Sequence, residues 1–473
     1  MSTAYVDAGV RLREELEGAN LGDLRRNRRL RQMAERMEGR PGAGFPEMMG
    51  DSAELEGCYR LLNNEEVTME RILEPHIEQT HQRAEECGKV LAIHDETTFR
   101  FDHADQQEAV GQLRSGGPGF YGRFSLLVDA DRLSRPVGVA DASIYLRDES
   151  GEAIEGELEG VQWGEGGNRW WMEHIERTER RAADGVEMIH LMDAGFESYR
   201  RFAELDQNDS AFIARLSTNR KMRKEGSEQW GRMREIAETL EAQTSRTVEV
   251  SGRDAEPMPP EQLEKHPPRD RRETELHLAS TRVELRRPRK ESAELPETQT
   301  FEFVYVWEEQ PPEGVEPIEW MLLTNVEVET AEDLENVVDW YQGRWRIEQF
   351  NKALKTGCGY RQRQLENRRS LLNALAMSLP MAWLLLTVRA VARREEQMPA
   401  HWIIDDVQLE VLRECAEPSI DSENPTAQEV IHTIAEMGGH WPSNGPPGWQ
   451  VLQRGLRQLI TLTKGWRAAQ EKM

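Results

Sequence analysis

Residues 90–95 read VLAIHD, a short run of buried-type residues that ends in an aspartate. Two strand-like stretches follow it, SLLVDA at 125–130 and PVGVADASIYLR at 136–147, with alternating apolar and polar residues. After a helix-like stretch at 168–183, a second buried run, MIHLMD at 188–193, also ends in an aspartate. The order strand, strand, strand, helix, strand predicts an α/β fold with a mixed sheet.

The two aspartates, Asp95 and Asp193, end these buried runs, and strand ends are where α/β sheets commonly expose reactive groups. A single aspartate after a strand is most often only a turn residue. Two of them indicate a catalytic or metal-binding site only if a third partner joins them. A helix much later in the chain offers that partner.

The stretch AEDLENVVDWYQGRWRIEQFNKALKTG, residues 331–357, predicts one long helix with an acidic first turn and a glycine as its C-terminal stop. One face of this helix carries four polar residues, namely Tyr341, Arg344, Glu348 and Lys355. At about 100° per residue these positions fall within a stripe roughly 60° wide, well separated from the apolar side. The alternative is an ordinary solvated face on which a glutamate lies between an arginine and a lysine.

The N-terminal region contains a basic segment, DLRRNRRLRQMAERMEGR at 23–40, with seven Arg and two Glu. Asp23 is the expected helix N-cap. An apolar stripe is expected from Leu24, Leu30, Met33 and Met37. Such a helix favours DNA binding over a merely solvated face, because the rest of the chain is acidic. The candidate DNA contacts are Arg25, Arg26, Arg28 and Arg29.

The whole chain has a formal net charge of −26, whereas phosphate backbones attract basic surfaces. It contains 9 Lys and 51 Arg, an acid-rich and lysine-poor balance that suits a cytoplasm full of salt. At molar salt the Debye length is about 3 Å, so distant acidic surface hardly repels DNA while close arginine contacts still act. We therefore hypothesise a halophilic source.

Composition limits the remaining classes of protein. Hydrophobic residues make up 38% and charged residues 31%, as in soluble globular proteins of several domains. The cysteines are too scattered for a zinc site or a disulfide framework, and the N-terminus lacks the apolar core of a signal peptide. The apolar stretch at 371–391 carries Asn373, Pro380 and Arg389, which favours a buried core helix over a membrane span. We expect a cytoplasmic protein without a membrane partner.

Three other segments complete the organisation. GGPGFYG at 116–122 favours a mobile loop over a phosphate cradle. Residues 225–317 are poor in helix signals and contain two strand candidates, at 277–286 and 299–307, which indicates an inserted β-rich module. Beyond residue 395 the chain is predicted to be helical and to form an interaction module.

The segment YQGRWRIEQFNKALKTGCG at 341–359, with its Y-x2-R-x3-E-x6-K spacing, closely resembles the insertion-sequence-four family of bacterial DDE transposases. The transposon-five transposase belongs to this family of cut-and-paste enzymes. LGDLRRNRRL and EGCYRLLNN resemble the N-terminal DNA-binding domain of the family, and VLAIHDETTF and MIHLMDAGFESY resemble its two aspartate strands. The resemblance therefore covers nearly the whole chain.

The resemblance implies a ribonuclease H-like catalytic core with a mixed sheet and a β-rich insertion, flanked by two helical domains. The implied segments are an N-terminal DNA-binding domain (1–75), the first part of the core (76–224), the insertion (225–317), the second part of the core (318–395) and a C-terminal dimerisation region (396–473).

The family match makes Asp95, Asp193 and Glu348 the metal ligands and catalytic residues. Hard carboxylate oxygens of this kind hold Mg²⁺, for which Mn²⁺ can substitute. Two such ions about 4 Å apart can clamp an in-line phosphoryl displacement without a covalent enzyme intermediate.

The same match makes Tyr341, Arg344 and Lys355 contacts to the DNA backbone, a role that suits a guanidinium and an ammonium group. Trp320 corresponds to a family tryptophan that holds a flipped base, although packing beside its apolar neighbours is the alternative. Arg215 and the basic run 219–224 also fall where the family has DNA contacts.

Three functions are consistent with these residues. The first is a transposase that binds double-stranded transposon ends as a homodimer, cleaves them through a hairpin intermediate and joins the 3′ ends to target DNA. The second is an inactive DNA-binding regulator derived from a transposase, and the third is a stand-alone nuclease of similar core. The three retained carboxylates favour the first over the second, and the N- and C-terminal regions favour it over the third. Such an enzyme would be associated with the nucleoid when it is bound to DNA.

Overall fold

The computed structural model describes residues 11–101, 110–148, 168–250, 252, 268–394, 399–402, 404–417, 419–420, 422–444 and 447–470. The chain forms two compact units. The first runs to Met188 and resumes at Trp345, and the second comprises Ile189–Arg344. The five segments expected from the sequence stay predictions, and the expected boundary after residue 395 lies outside the described residues.

The fold is mixed α/β. The helices are α1 (Leu12–Glu15), α2 (Leu24–Gly39), α3 (Phe45–Met48), α4 (Ser52–Leu62), α5 (Met69–Cys87), α6 (Asn168–Arg180), α7 (Tyr199–Gln207), α8 (Met233–Ala237), α9 (Ala331–Gly343), α10 (Trp345–Lys352), α11 (Arg368–Arg394), α12 (Asp406–Cys415), α13 (Ala427–Met437) and α14 (Trp449–Gln470). The strands are β1 (Lys89–Arg100), β2 (Gly111–Gln112), β3 (Pro118–Asp129), β4 (Pro136–Tyr145), β5 (Glu187–Met192), β6 (Ala211–Arg215), β7 (Lys221–Lys224), β8 (Gly231–Arg232), β9 (Thr244–Val250), β10 (Arg272–Arg286), β11 (Thr298–Glu308) and β12 (Glu319–Thr324).

The sheet of the first unit is built on β3. One edge of β3 pairs antiparallel with β1, from Val90 opposite Asp129 to Arg100 opposite Gly119, and the other edge pairs with β2 and β4. The strands predicted around VLAIHD, SLLVDA and PVGVADASIYLR are therefore confirmed.

The mobile loop expected at 116–122 is wrong for five of its seven residues, because residues 118–122 are buried inside β3. A Cβ atom on Gly119 would lie 2.3 Å from the carbonyl oxygen of Phe99, and one on Gly122 would lie 2.7 Å from the ring of Phe124. These glycines allow close packing within the sheet rather than mobility.

One face of β1 and β3 packs against α6 through a buried polar cluster. His174 lies 2.6 Å from the Asp141 carboxylate through Nδ1, and its Nε2 lies 2.8 Å from the Ser125 hydroxyl. The Ser125 hydroxyl is also 3.0 Å from that of Thr178 and 2.8 Å from Nδ1 of His94. Because these groups are buried and bonded to one another, they fix α6 in one position on the sheet.

Helices α5 and α11 pack on the other side of β4 around Trp383, which is fully buried. Its indole N–H donates to the carbonyl of Pro136 at 3.0 Å, and the guanidinium of Arg83 lies 4.4 Å from its ring. Helix α11 is long and apolar enough to cross a membrane, but 89% of its most apolar window is buried within the protein. The predicted core helix at 371–391 is confirmed.

The N-terminal helices join this core through Glu15, whose side chain is fully buried. Its carboxylate accepts hydrogen bonds from Nδ1 of His76 at 2.5 Å and from the guanidinium of Arg83 at 2.8 Å. The backbone N–H of Val139 donates to the other ring nitrogen of His76, at 3.1 Å, so that nitrogen carries no proton. His76 is therefore a neutral imidazole that donates to Glu15.

The basic helix α2 begins as expected, because the Asp23 carboxylate accepts the backbone N–H of Arg25 at 2.7 Å. The hydrogen bond from the Arg25 side chain, together with this backbone hydrogen bond, lowers the pKa of Asp23 to about 2. Leu30, Met33 and Met37 are buried, but Leu24 is 82% exposed. The expected stripe is wrong for Leu24, which at about 100° per residue points roughly 120° away from Leu30.

The second unit contains a mixed sheet. Strand β5 is parallel to β6, and β12, β11 and β10 follow in antiparallel order, with β7 and β9 along the outer edge of β10. The strand candidates at 277–286 and 299–307 lie in β10 and β11 and are confirmed as strands. Under the sheet, the rings of Phe202 and Phe212 stack at 5.5 Å, and Phe301 meets Phe212 edge-on.

The C-terminal region is helical, as predicted. Val411, Val430 and Leu459 from α12, α13 and α14 form one buried apolar cluster. Dimerisation through this region stays a prediction.

The buried cluster around His174 predicts a pH-dependent stability. Burial lowers the pKa of His174 from 6.5 to about 4, although the Asp141 carboxylate raises it. Unfolding exposes an imidazole that takes up a proton below pH 6.5, so the contribution to stability is present above that pH and is lost as pH falls towards 4. His174→Gln should reduce the fall in unfolding free energy across this window by on the order of 3 kcal/mol.

Urea denaturation at a series of pH values measures this effect. His432→Gln, at a half-buried histidine of α13, is the matched control. An equal dependence of stability on pH in both variants would contradict the assignment.

Candidate active site

The residues predicted to form the site divide between the two compact units. The first unit contains Asp95, Glu348 and Lys355, together with Arg25, Arg26, Arg28 and Arg29. The second unit contains Asp193, Arg215, Trp320, Tyr341 and Arg344.

The expected strand end at Asp95 is wrong, because β1 continues to Arg100 and Asp95 lies half-buried in its middle, paired with Phe124 of β3. Because side chains alternate along a strand, Asp95 shares a face with Thr97 and Phe99, opposite the face that packs on α6. The side-chain amide of Asn351 in α10 donates to its carboxylate, with Nδ2 2.7 Å from Oδ2. The first aspartate is thus held by the helix that carries Glu348.

The long helix expected at 331–357 is interrupted. Helix α9 ends at Gly343, α10 begins at Trp345, and residues 353–357 form a π-helical turn. The backbone N–H of Arg344 bonds three residues back, to Tyr341, and that of Cys358 bonds five residues back, to Ala353. The expectation of one continuous α-helix is therefore wrong. The helical-wheel angle of 100° per residue also fails to place Lys355, because a π-helical turn contains more residues than an α-helical turn.

Glu348 is half-buried on α10, and its apolar neighbours set its position. Ile347 and Phe350 are fully buried, and the Phe350 ring meets that of Phe124 at 6.1 Å, nearly edge-on. Since Phe124 is the register partner of Asp95, this aromatic contact holds α10 beside the same part of the strand. The guanidinium of Arg346 further anchors α10 by donating to the carbonyl of Leu133 at 2.9 Å.

Lys355 lies on the π-turn with its ammonium 2.5 Å from the Thr97 hydroxyl and 5.5 Å from the centre of the Phe99 ring. Burial and the nearby positive charge of Arg361 lower its pKa to about 8, against the opposing effect of the Asp95 carboxylate. The lysine is therefore charged at neutral pH and lies on the Asp95 face of the sheet.

In the second unit, Asp193 follows the last residue of β5 and caps a short 3-10 turn. Its Oδ1 accepts the backbone N–H of Gly195 at 2.9 Å. Met192 pairs with Ala214 in the parallel strand β6. The next residue of each strand, Asp193 and Arg215, therefore lies at one of two neighbouring strand ends. Asp193 therefore lies at a strand end, as expected, and its side chain is half-buried.

Tyr341 interacts with the other predicted site residues of this unit. Its ring centre lies 5.9 Å from that of Trp320, and the Arg344 side chain hydrogen-bonds to its hydroxyl. Burial raises the pKa of Tyr341, the positive charges of Arg344 and Arg215 lower it, and the negative charge of Asp193 raises it. Tyr341 and Arg344 are buried, so this part of the helix is not the solvated face considered as an alternative. Trp320 of β12 is half-buried.

Glu197, four residues after Asp193, has a structural role that sequence reasoning missed. It accepts the backbone N–H groups of Ser217 and Thr218 at 2.8 and 2.9 Å, and it is ion-paired with Arg220. Burial would raise its pKa, but these donors lower it. Glu197 therefore holds the basic loop after β6 against the turn that follows Asp193. Its spacing of four residues from Asp193 was the available signal.

The donor chemistry fits divalent cations such as Mg²⁺ in part. Asp95 and Glu348 provide hard carboxylate oxygens in the first unit, and the buried Oδ1 of Asn351 lacks a hydrogen-bond partner. Asp193 provides a third carboxylate in the second unit. Among the residues that the structure describes, no three His, Cys, Asp or Glu side chains are gathered into one metal-binding group.

The four arginines of α2 differ in their surroundings. Arg25 and Arg28 are exposed, whereas Arg26 and Arg29 are half-buried. Arg25 is ion-paired with Asp23 at 2.9 Å, and the Arg26 guanidinium donates to the carbonyl of Leu21. Arg29 donates to Gln32 at 2.8 Å. Arg25 and Arg28 are thus the most accessible to a partner.

Comparison with known families identifies two segments of this chain. Residues 11–67 match the family model for a transposase DNA-binding domain, and residues 171–385 match that for a transposase DDE domain. The second match includes Asp193 and Glu348, and Asp95 lies outside both matches. These findings are consistent with a DDE transposase family.

Among solved structures, the chain is similar to the cryo-EM structure of a piggyBac transposase synaptic complex with hairpin DNA. The TM-score is 0.34 and the sequence identity is 10%. The match covers 89% of this chain and 62% of that one.

Proposed function

We propose that this chain is a cut-and-paste DNA transposase that uses Asp95, Asp193 and Glu348 to cleave transposon ends and join them to target DNA. The observation that carries the proposal is the pairing of a transposase DNA-binding segment with a DDE domain in one chain. A DDE domain implies a ribonuclease H-like core with a mixed sheet, and the second unit contains a mixed sheet.

The three carboxylates would hold one or two Mg²⁺ ions, with Mn²⁺ as a substitute. When bound, such ions activate an attacking oxygen and stabilise a leaving oxygen during phosphoryl transfer. Asn351 keeps the Asp95 carboxylate in place, and the buried rings of Phe350 and Phe124 keep α10 beside β1.

The cationic residues would position the DNA. Arg344, oriented by its hydrogen bond to Tyr341, can bind a phosphate through two parallel N–H groups, whereas Lys355 supplies a point charge. A half-buried Trp320 beside Tyr341 offers an indole face for a base extruded during hairpin formation. Arg215 and residues 219–224 would make further contacts to the phosphates of the DNA backbone.

We further propose that the enzyme works as a homodimer on paired DNA ends, in a salt-rich bacterial cytoplasm near the nucleoid. The net charge of −26 is compatible with DNA binding there because salt screens the acidic surface. Loss of activity above about half-molar potassium chloride, where screening is strong, would count against the halophilic source.

The central test removes one carboxylate at a time. Glu348→Ala and Asp193→Asn should retain binding to end DNA but lose cleavage in magnesium, because ion binding needs all three carboxylates. Binding is followed by gel shift and cleavage on labelled inverted-repeat DNA taken from the flanks of the gene. The matched control is Glu332→Ala in the first turn of α9. Undiminished cleavage by either carboxylate variant would refute the proposal.

A second test concerns the arginines of α2. Replacing Arg25, Arg26, Arg28 and Arg29 by alanine should weaken end binding and flatten its salt dependence, because each lost phosphate contact reduces the slope of log K against log salt by about 0.9. The affinity is measured by fluorescence anisotropy over a range of potassium chloride concentrations. Binding equal to that of the unchanged chain would show that this helix face is only solvated.

A third test separates two roles of Trp320. Trp320→Ala should impair hairpin formation more than first-strand nicking, because stacking on an extruded base is needed only for the hairpin. Denaturing gels resolve the two products over time. An equal loss in both steps would favour core packing, and Trp320→Phe, which keeps an aromatic face, should recover part of the hairpin yield.

A further inference from the structure

The side chain of Asn351 contacts the proposed metal centre through Asp95 and does not belong to the predicted set of ligands. It lies on α10, one turn after Glu348, and is 93% buried, since its exposed fraction is 7%. Among the described residues, its side chain makes one hydrogen bond, which it donates to Asp95, with Nδ2 2.7 Å from Oδ2. A buried amide of this kind is therefore committed to a catalytic carboxylate.

The chemistry of the pair fixes which way the amide points. An ionised carboxylate can only accept hydrogen bonds, so the NH₂ group of Asn351 must face Asp95 and the carbonyl oxygen must face elsewhere. Among the described residues nothing donates to this Oδ1, although it is buried. A buried oxygen without a donor destabilises the folded chain, because the hydrogen bonds it made with water are lost.

A purely structural asparagine in the same unit is arranged differently. Asn373 on α11 uses its NH₂ group on two backbone carbonyls, those of Leu62 and Val67, at 3.0 and 2.9 Å. It thereby joins α11 to the N-terminal helices. Within the described part of the chain, the Asn351 side chain bonds to no backbone group, so its position is explained by the carboxylate it holds and by a donor to Oδ1.

We propose that Asn351 is a positioning residue for the metal centre, which holds Asp95 through Nδ2 and offers Oδ1 to a water molecule bound to the divalent ion. The inference rests on the proposed function. Mg²⁺ and Mn²⁺ keep several waters when bound to proteins, and each such water is a hydrogen-bond donor. Groups that orient metal ligands and their waters contribute about 10- to 100-fold to metal affinity.

Mn²⁺ binding to the full chain tests the inference without relying on activity. The free Mn²⁺ signal in electron paramagnetic resonance is followed during titration of the unchanged chain, Asn351→Ala and Asn351→Leu. Both variants should bind Mn²⁺ about 10-fold or more weakly. Leucine nearly matches asparagine in shape, so Asn351→Leu carries the test if the alanine variant lacks a cooperative unfolding transition.

The matched control is Gln349→Ala on the same helix. The amide oxygen of Gln349 accepts a hydrogen bond from the Arg346 guanidinium at 3.1 Å. It should bind Mn²⁺ like the unchanged chain. Asp95→Ala shows which part of the binding belongs to the proposed centre. If Asp95-dependent binding exists but the Asn351 variants retain it unaltered, the inference fails and the proposed metal centre stands. If the unchanged chain has no Asp95-dependent binding, both fail.

Discussion

The antiparallel register between β1 and β3 is the constraint on which the first unit depends. Side chains alternate between the two faces of a strand, so a slip by one residue would exchange every contact of both strands. In the observed register, His94 faces the polar cluster of α6, and its neighbour Asp95 faces Asn351 of α10. One hydrogen-bond ladder therefore places a structural cluster and a proposed catalytic carboxylate on opposite sides of one sheet.

Both faces bury polar groups, and each does so with partners that specify the packing. On the α6 face, His174 is bonded to Asp141 and Ser125. On the α10 face, polar contacts to Asp95 and Thr97 lie beside the ring of Phe124 packed on Phe350. Partly satisfied polar groups in an apolar core are costly, so each cluster tolerates few alternative arrangements. The uncompensated oxygen of Asn351 is an exception, and it lies beside the proposed centre.

The sequence motif from Tyr341 to Lys355 belongs to both compact units. Tyr341 and Arg344 end the second unit, where they interact with Trp320, Arg215 and Asp193. Glu348 and Lys355 belong to the first unit. Glu348 lies on the helix that begins at Trp345, and Lys355 lies on the π-helical turn that follows it. A motif that is continuous in sequence thus serves two separate packing environments, each with its own buried aromatic contacts.

Local patterns determined much of this protein. Buried runs ending in Asp95 and Asp193, the N-cap at Asp23 and the apolar helix around Trp383 follow from hydrophobic period and short-range hydrogen bonding, which a sequence displays directly. The tertiary structure alone decided the break at Arg344, the burial of 118–122 in β3 and the exposure of Leu24. It also decided the partners Asn351 and Glu197, because an amide or a carboxylate acquires its role from groups distant in sequence. Such contacts depend on register and packing, which no local period encodes.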